Sequence, residues 1–324
     1  MPTSPPSSLP TCAQLIRSKE GRLKLALVNA VIRVTLKWQH GLQIDIPDLR
    51  SKLAAQNRLA PPLASDMRRD RLDCDGVAAE WLIPAESSPQ RVLLYFHGGA
   101  FVARTPQMHA AMLSTWCRAL GARALLVDYR LAPEHRYPAA LEDCCKSYQW
   151  LLRQGFDPRN IVLGGDSAGG NLALATLQDA VARGKPVPAC AVLISPFLDF
   201  TLSGDSVLGN AQQDPVFTPA FALGIRKFYA EGARQTDSGV SPLFGRFQGL
   251  PPLLFQVGST EMLLDDALRA SELAHLAGVP TSLEIWDRLP HVFQGIPKLP
   301  QARMAAAHII RFVSSHTGWD FRVA

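Results

Sequence analysis

The sequence predicts an α/β protein in which a mostly parallel sheet is covered by helices on both faces. From residue 77 onward, short apolar runs rich in β-branched residues alternate with stretches of helical spacing. This alternation is typical of parallel sheets whose crossover helices lie on both faces. The 324 residues fit one such domain with insertions, and the 47% hydrophobic content is enough to build a large core.

The predicted elements follow one another in a regular order. Strands are predicted at residues 77–83, 91–96, 122–127, 160–163, 189–194, 251–257 and 282–286. Helices are predicted at residues 108–120, 138–152, 171–182, 261–277 and 301–313. Upstream of the alternating part, residues 42–62 form a polar connector with one or two helices.

Residues 21–38 have a helical pattern of their own, with basic residues elsewhere on the cylinder. Its apolar positions are Leu23, Leu27, Ala30, Val31, Val34 and Trp38. We expect the helix to pack on its own domain. The alternative is a basic amphipathic helix that lies on a membrane surface, which would make the chain a peripheral membrane-binding module.

One long interval interrupts the alternation, because more than fifty residues separate the strand 189–194 from the strand 251–257. It contains the aromatic-rich segment 217–229, with Phe217 and Tyr229 at its two ends. Such an insertion above the carboxyl ends of the strands is typical of a lid over an apolar pocket. The alternative is that the insertion lies on the solvent side of the domain and does not cover a pocket.

Composition excludes several classes of protein. The net charge of +5 is modest and the basic runs are short, which argues against a nucleic-acid-binding protein. The first ten residues lack the features of a secretory signal and are expected to form a frayed tail, and no apolar run is long enough to span a membrane. The six cysteines show no metal-binding spacing, so we expect free thiols, no metal and a cytoplasmic location.

The most informative motif is Gly-Asp-Ser-Ala-Gly at residues 165–169, which joins a predicted strand to a predicted helix. On a sharp strand-to-helix turn of the G-x-S-x-G type, the serine is strained and its hydroxyl is exposed. The flanking glycines let the backbone and the neighbouring strands pass closely. We therefore predict Ser167 as a nucleophile, which requires an oxyanion site, a base and an acid elsewhere in the chain.

The oxyanion site is predicted in the stretch His-Gly-Gly-Ala-Phe, which directly follows the strand 91–96. Consecutive small residues at a strand end let several backbone N–H groups point outward together. Acyl transfer needs such donors, because negative charge develops on the carbonyl oxygen. We expect the donors among Gly98, Gly99 and Ala100, together with the N–H of Ala168. A plain glycine-rich turn is the alternative.

The general base is predicted at His291, which lies in a loop directly after a predicted strand. A base must lie at the carboxyl edge of the sheet to reach the serine hydroxyl. His275 and His308 fall within predicted helices, and His316 falls in the C-terminal tail. His97 precedes the serine in the chain, and we expect it to brace its loop.

The acid partner of the base is expected on the loop after the strand 251–257. Glu261 comes first in this loop, thirty positions before His291. Asp265 is the main alternative; it lies about one turn further on, where acidic residues commonly complement a helix N-terminus. Asp287 is a third candidate.

Together these residues resemble the hormone-sensitive-lipase-like esterases, family IV of the bacterial lipolytic enzymes, which have the α/β-hydrolase fold. The resemblance runs from about residue 77 to the C-terminus. Its motifs are His-Gly-Gly at 97–99, Asp-Tyr-Arg-Leu-Ala-Pro-Glu-His-Arg-Tyr-Pro-Ala-Ala at 128–140, Gly-Asp-Ser-Ala-Gly-Gly at 165–170, Ser-Pro-Leu-Phe at 241–244 and His-Val-Phe at 291–293.

The resemblance implies a doubly wound sheet of eight strands with a helical cap. The cap would comprise residues 1–50 and 199–238, and the catalytic domain residues 51–198 and 239–324. Two positions depart from the family pattern. Ala100 stands where the family has a third glycine, and Glu261 stands where the family usually has Asp, which leaves Asp265 as a rival. In the family, Asp128, Arg130 and Glu134 belong to a structural motif.

The sequence therefore predicts a cofactor-independent serine carboxylesterase whose partners are a small-molecule acyl ester and water. His291 would take the proton of Ser167, and Glu261 would orient the imidazolium. The resemblance implies short to medium acyl chains. A lactone, carbamate or amide hydrolase would use the same groups, and a non-catalytic ligand receptor on this fold is a further alternative. The sequence leaves open whether the protein forms a homodimer.

Overall fold

The structure of the protein is a computed structural model that describes residues 9–18, 20–35, 37 and 44–321. Trp38 and most of the expected N-terminal tail lie outside the described residues.

A nine-stranded sheet forms the centre of the described chain, in the order β1-β9-β8-β7-β6-β4-β5-β3-β2. Its strands are β1 (Ala13–Ile16), β2 (Met67–Asp73), β3 (Ala78–Pro84), β4 (Val92–Phe96), β5 (Arg123–Val127), β6 (Ile161–Asp166), β7 (Cys190–Ile194), β8 (Leu253–Gly258) and β9 (Thr281–Trp286). The strand β3 runs antiparallel to both β2 and β5, and the other neighbouring strands of the described sheet run parallel to each other. The prediction of a mostly parallel sheet is confirmed, with one strand more than the eight expected.

The described helices lie on both faces of the sheet and around its carboxyl edge. They are α1 (Arg22–Thr35), α2 (Ile46–Asn57), α3 (Pro106–Leu120), α4 (Ala139–Arg153), α5 (Ala168–Ala182), α6 (Ser206–Gly209), α7 (Pro219–Ala230), α8 (Leu264–Leu276) and α9 (Pro300–Thr317). Buried side chains of α3 and α9 share one hydrophobic cluster, while those of α4, α5 and α8 share another. The strand β4 contributes alternate residues to the two clusters and is buried throughout, as expected for a parallel strand covered on both sides.

The two strands that the sequence did not predict lie at the edges of the sheet. The strand β1 has only four residues and pairs with β9, so residues 13–16 belong to the sheet rather than to the cap expected for residues 1–50. The strand β2 is dominated by charged residues and pairs with β3. Charged side chains on an edge strand discourage pairing with other chains, which explains why this strand does not resemble the apolar ones.

The prediction that α1 packs on its own domain is confirmed, but the packing does not use the apolar positions named from the sequence. Leu23, Leu27, Val31 and Val34 are exposed, and the residue of α1 that is buried is Leu25. The inward side also carries Val28, which packs against the cluster containing Leu25. Both sides of this helix are apolar, so spacing alone does not determine which side faces the domain.

The sheet order places the two loops of the predicted site side by side. After β4 the chain crosses to β5 on one side and then returns to β6 on the other side of β4. Ligands of open parallel sheets bind at such a switch in strand order, outside the carboxyl ends of the strands. The loop after β4 contains the predicted oxyanion residues, and the turn after β6 contains Ser167.

The loop after β7 is fastened to α8 by one buried carboxylate. Oδ2 of Asp266 accepts the backbone N–H groups of Leu198 at 2.6 Å and Asp199 at 3.0 Å. Burial, with the charge of Asp199 nearby, raises the pKa of Asp266 to about 8. The ordinary value for Asp in an unfolded chain is about 3.9. The folded protein therefore holds a proton here that the unfolded chain releases.

We predict that Asp266 makes the protein less stable as the pH rises. Between about pH 4 and pH 8 the folded state binds more protons than the unfolded state, so the free energy of unfolding falls by at most about 1.4 kcal/mol per pH unit. In Asp266→Asn the amide oxygen can accept the same two N–H groups without titrating. Urea unfolding at pH 5, 6.5 and 8 should show a shallower decline for this variant. The exposed control Asp205→Asn should keep the wild-type slope, and equal slopes for all three proteins would contradict the assignment.

Candidate active site

Ser167 lies in a strained turn between β6 and α5, with φ 54° and ψ −117°. A Cβ atom at Gly165 would lie 2.2 Å from the carbonyl oxygen of Gly169, and one at Gly169 would lie 1.9 Å from that of Phe96. Both glycines are therefore required for the close approach of the backbone. The N–H of Ser167 donates to the carbonyl oxygen of Ile194 at 2.8 Å, which fixes the turn against β7.

His291 and Glu261 are paired in the loops after β9 and β8. Nδ1 of His291 lies 2.7 Å from Oε2 of Glu261. Glu261 is fully buried, and 8% of the His291 side chain is exposed. Because Nδ1 faces a carboxylate, it carries the proton of the neutral ring and Nε2 is the free acceptor. This is the tautomer that a general base needs.

The rival acids have other partners. Oδ2 of Asp265 accepts the backbone N–H of Ser206 at 2.8 Å, so this carboxylate is directed toward α6. The backbone N–H of Asp287 donates to the carbonyl oxygen of Ile16, which makes Asp287 part of the pairing between β9 and β1. Of the three acids considered from the sequence, Glu261 is therefore the one that contacts His291.

The loop after β4 supplies fewer outward donors than the sequence predicts. The N–H of Gly98 donates to Oδ1 of Asp166 at 3.0 Å, and a Cβ atom at Gly98 would lie 2.1 Å from Oδ2 of the same residue. Gly98 is thus engaged with a buried carboxylate, and the expectation that it is an oxyanion donor is not supported. The remaining candidates are Gly99, Ala100 and Ala168.

Ala100 adopts the conformation for which the family pattern has glycine. Its φ is 55°, and the next residue, Phe101, has φ 62°. Gly99 has φ 127°, and a Cβ atom there would lie 2.0 Å from the carbonyl oxygen of Ala103. A non-glycine residue pays a modest steric cost in the left-handed region, so alanine is tolerated at position 100 whereas position 99 requires glycine.

A buried polar network holds this loop against the elbow. Oδ1 of Asp166 accepts the hydroxyl of Tyr95 at 2.9 Å and lies 3.0 Å from Nε2 of His109, in addition to its bond with Gly98. Burial opposes the charge of Asp166, but His109 and the hydrogen bonds outweigh it and lower the pKa of this carboxyl. The carboxylate of Asp166, directly before Ser167, therefore joins β4, the loop after β4 and α3.

His97 braces the same loop, as expected from the sequence. Its ring stacks on Tyr129 with the centroids 4.2 Å apart, and Nδ1 lies 2.7 Å from the carbonyl oxygen of Gly98. Burial, and secondarily the nearby His109, lower the pKa of His97 to about 3, so the ring is neutral.

Two of the residues that the resemblance assigns to a structural motif form ion pairs with residues of α2 and α4. Glu134 pairs with Arg50 of α2, and Arg130 pairs with Asp143 of α4. Within the described residues, no group of three or more His, Cys, Asp or Glu side chains is arranged to hold a metal ion.

Two contacts of Glu261 and His291 were not predicted from the sequence. The hydroxyl of Ser195 donates to Oε1 of Glu261 at 2.8 Å, and the ring of Phe217 meets that of His291 edge-on at 4.5 Å. Ser195 follows β7, which lies between the strands that precede Ser167 and Glu261. Its position after a strand at the carboxyl edge is the signal that could have identified it.

Residues 93–295 match the family described as having the alpha/beta hydrolase fold. The chain is 39% identical over 241 residues to an acetyl-hydrolase of Streptomyces hygroscopicus, covering 74% of this chain and 80% of that protein. It is 34% identical over 295 residues to an esterase of Acinetobacter venetianus, covering 90% and 96%. A crystal structure of an esterase from the bacterial hormone-sensitive lipase family superposes with a TM-score of 0.86 at 39% identity, covering 94% and 100%.

The chain belongs to the hormone-sensitive lipase family of α/β-hydrolases. In this α/β-hydrolase, the strands of the matched region are followed by Ser167, Glu261 and His291 in the order that the fold's serine, acid and histidine take. The resemblance derived from the motifs is therefore confirmed.

We predict opposite effects of exchanging glycine and alanine in the oxyanion loop. Gly99→Ala places a methyl group against the carbonyl oxygen of Ala103 and should reduce the turnover of p-nitrophenyl butyrate at least about a hundredfold, the scale of losing an oxyanion donor. Ala100→Gly keeps the N–H group and relieves a strained φ, so its turnover should stay near wild type. Thermal unfolding of both variants serves as the folding control. A tolerated Gly99→Ala would contradict the assigned loop geometry.

Proposed function

We propose that this α/β-hydrolase is a serine carboxylesterase that hydrolyses small-molecule acyl esters. The observation that carries the proposal is the buried pair of Glu261 and His291, which lies at the same edge of the sheet as the elbow of Ser167. The pair gives the buried carboxylate of Glu261 a hydrogen-bond partner. The names of the relatives, an acetyl-hydrolase and an esterase, support the same reaction class.

The proposed reaction proceeds in two steps. His291 accepts the proton of Ser167 as the serine oxygen attacks the ester carbonyl, and Glu261 stabilises the imidazolium. The N–H groups of Gly99, Ala100 and Ala168 are proposed to bind the oxygen on which negative charge develops. His291 then protonates the departing alcohol. In the second step it activates water, which releases the acid from Ser167.

We further propose that the insertion after β7 forms the acyl pocket and favours short to medium acyl chains. Its aromatic residues pack on the oxyanion loop, since Phe101 stacks on Tyr229 of α7 at 3.8 Å and contacts Phe200. Phe217, also from the insertion, borders His291. This arrangement supports the cap boundaries expected at residues 199–238. The aromatic side chains would limit the length of the acyl chain.

The proposed location is the cytoplasm. All six cysteines lie in the described part of the chain and are free, and four of them are buried. Free thiols fit a reducing compartment.

We predict that activity depends on the hydroxyl of Ser167. Ser167→Ala should lower the turnover of p-nitrophenyl esters at least about ten-thousandfold, because a serine hydrolase loses most of its catalysis with its nucleophile. Activity of the wild type across the series from acetate to palmitate should peak at short or medium chains. Undiminished hydrolysis by the variant would refute the mechanism, and a preference for palmitate would refute the proposed pocket.

We also predict that activity depends on the carboxylate of Glu261 and not on that of Asp265. Glu261→Gln should lower the turnover at least about a hundredfold, because the amide cannot stabilise the imidazolium as a carboxylate does. Asp265→Asn, in the first turn of α8, is the matched control, and its amide oxygen can still accept the N–H of Ser206, so it should keep activity near wild type. The reverse ranking would show that Asp265 is the acid.

A further inference from the structure

The helix α1 presents an apolar stripe to the solvent. Leu23, Leu27, Val31 and Val34 are 90%, 66%, 52% and 62% exposed. Their spacing of four, four and three residues places them on one side of the helix, along about 16 Å of its length. Ala26 and Ala30, which are also exposed, lie on the same side. Single exposed leucines are ordinary, but a continuous exposed apolar side marks an interaction surface.

The opposite side of α1 is fixed to the domain. Leu25 is buried against the cluster that contains Trp286 and Phe293. The side-chain amide of Asn29 donates to the carbonyl oxygen of Arg288 at 3.1 Å, and the guanidinium of Arg33 donates to that of Gln212 at 2.6 Å. Because these contacts lie on the inward side, the stripe is held facing outward by the fold itself.

The charged residues of α1 itself are all basic. The sequence from residue 21 to residue 44 contains four Lys or Arg residues and no Asp or Glu. Arg22 and Lys24 are exposed beside Leu23, at the start of the helix, and Glu20 precedes them. An exposed apolar side bordered by cations is the pattern of a helix that lies in the plane of an anionic membrane surface.

The stripe belongs to the same part of the molecule as the active site. Arg33 of α1 and Lys37, just beyond its end, bind residues 211–214, and the carboxylate of Asp214 accepts the N–H of Met262 beside Glu261. Residues 211–214 are followed by Phe217, which borders His291. Arg288, the partner of Asn29, precedes His291 by three residues. A surface that bound α1 would therefore lie near the loops of the site.

We propose that α1 docks this hydrolase on the surface of an anionic phospholipid bilayer. The stripe of Leu23, Leu27, Val31 and Val34 enters the boundary between headgroups and acyl chains, while Arg22 and Lys24 contact the anionic headgroups. Of the helices in the described residues, none is long and apolar enough to cross a membrane, so the proposed contact is peripheral. The inference goes beyond the proposed esterase activity, since it concerns where the protein binds and not what it hydrolyses.

The test is co-sedimentation of the full chain with vesicles, using Ser167→Ala as the parent so that lipid is not hydrolysed. Vesicles of phosphatidylcholine mixed with phosphatidylglycerol are compared with vesicles of phosphatidylcholine alone. The stripe variant is Leu23→Ser with Leu27→Ser and Val31→Ser. The matched control is Leu59→Ser with Leu276→Ser, which replaces two leucines that are 83% and 76% exposed elsewhere.

The proposal expects the parent to bind mixed vesicles, the stripe variant to bind at least about tenfold more weakly, and the control variant to bind like the parent. Arg22→Gln with Lys24→Gln should reduce binding to the mixed vesicles and flatten its dependence on salt. With Ser167 retained, the stripe variant should hydrolyse p-nitrophenyl acetate like the wild type and melt at the same temperature. Because binding is measured without turnover, failure of the esterase proposal would leave this result unaffected.

Three outcomes would overturn the proposal. The parent could fail to sediment with mixed vesicles, or the stripe variant could sediment as well as the parent. Light scattering could also show a dimer that the stripe substitutions convert to a monomer, without vesicle binding by the parent. This last result would assign the stripe to an interface between two copies of the chain.

Discussion

The arrangement of the site depends on the contacts that the carboxylate of Glu261 makes. This carboxylate is fully buried, and it joins Ser195 after β7, the N–H of Gly258 at the end of β8, and His291 after β9. A buried carboxylate is costly unless its lone pairs are satisfied, so the three loops stabilise it together and are fixed by it in turn. The orientation of the histidine is thus a consequence of satisfying one buried charge.

A second buried carboxylate has the same effect on the other half of the site. Asp166 binds the N–H of Gly98 and lies 3.0 Å from Nε2 of His109, so the loop after β4 and the turn of Ser167 are held together. Backbone strain is concentrated here as well, since Ala100, Ser167 and Val292 all have positive φ. Such conformations persist where the surrounding contacts over-determine them. The N–H of Ser167 donates to the carbonyl oxygen of Ile194, and the N–H of Val292 donates to the hydroxyl of Ser195, which itself binds Glu261.

The sequence predicts most of this fold and much of the site, and its failures have physical causes. Alternating patterns identify the buried strands, but not β2, whose charged residues suit an edge. Spacing places both Glu261 and Asp265 in one loop and cannot tell which side chain faces His291. A glycine in the expected loop does not reveal that the N–H of Gly98 points to Asp166. The helix α1 is apolar on two sides, so its pattern cannot say which side packs inward.

The central claim is that Ser167 is the nucleophile and that His291 and Glu261 activate it. Covalent trapping tests this claim most directly. A fluorophosphonate probe should add to the protein once, with loss of fluoride, and mass spectrometry should locate the adduct on the peptide that carries Ser167. Glu261→Gln should slow the labelling without changing its position. Labelling at Ser195, or hydrolysis that continues in the fully labelled protein, would contradict the account.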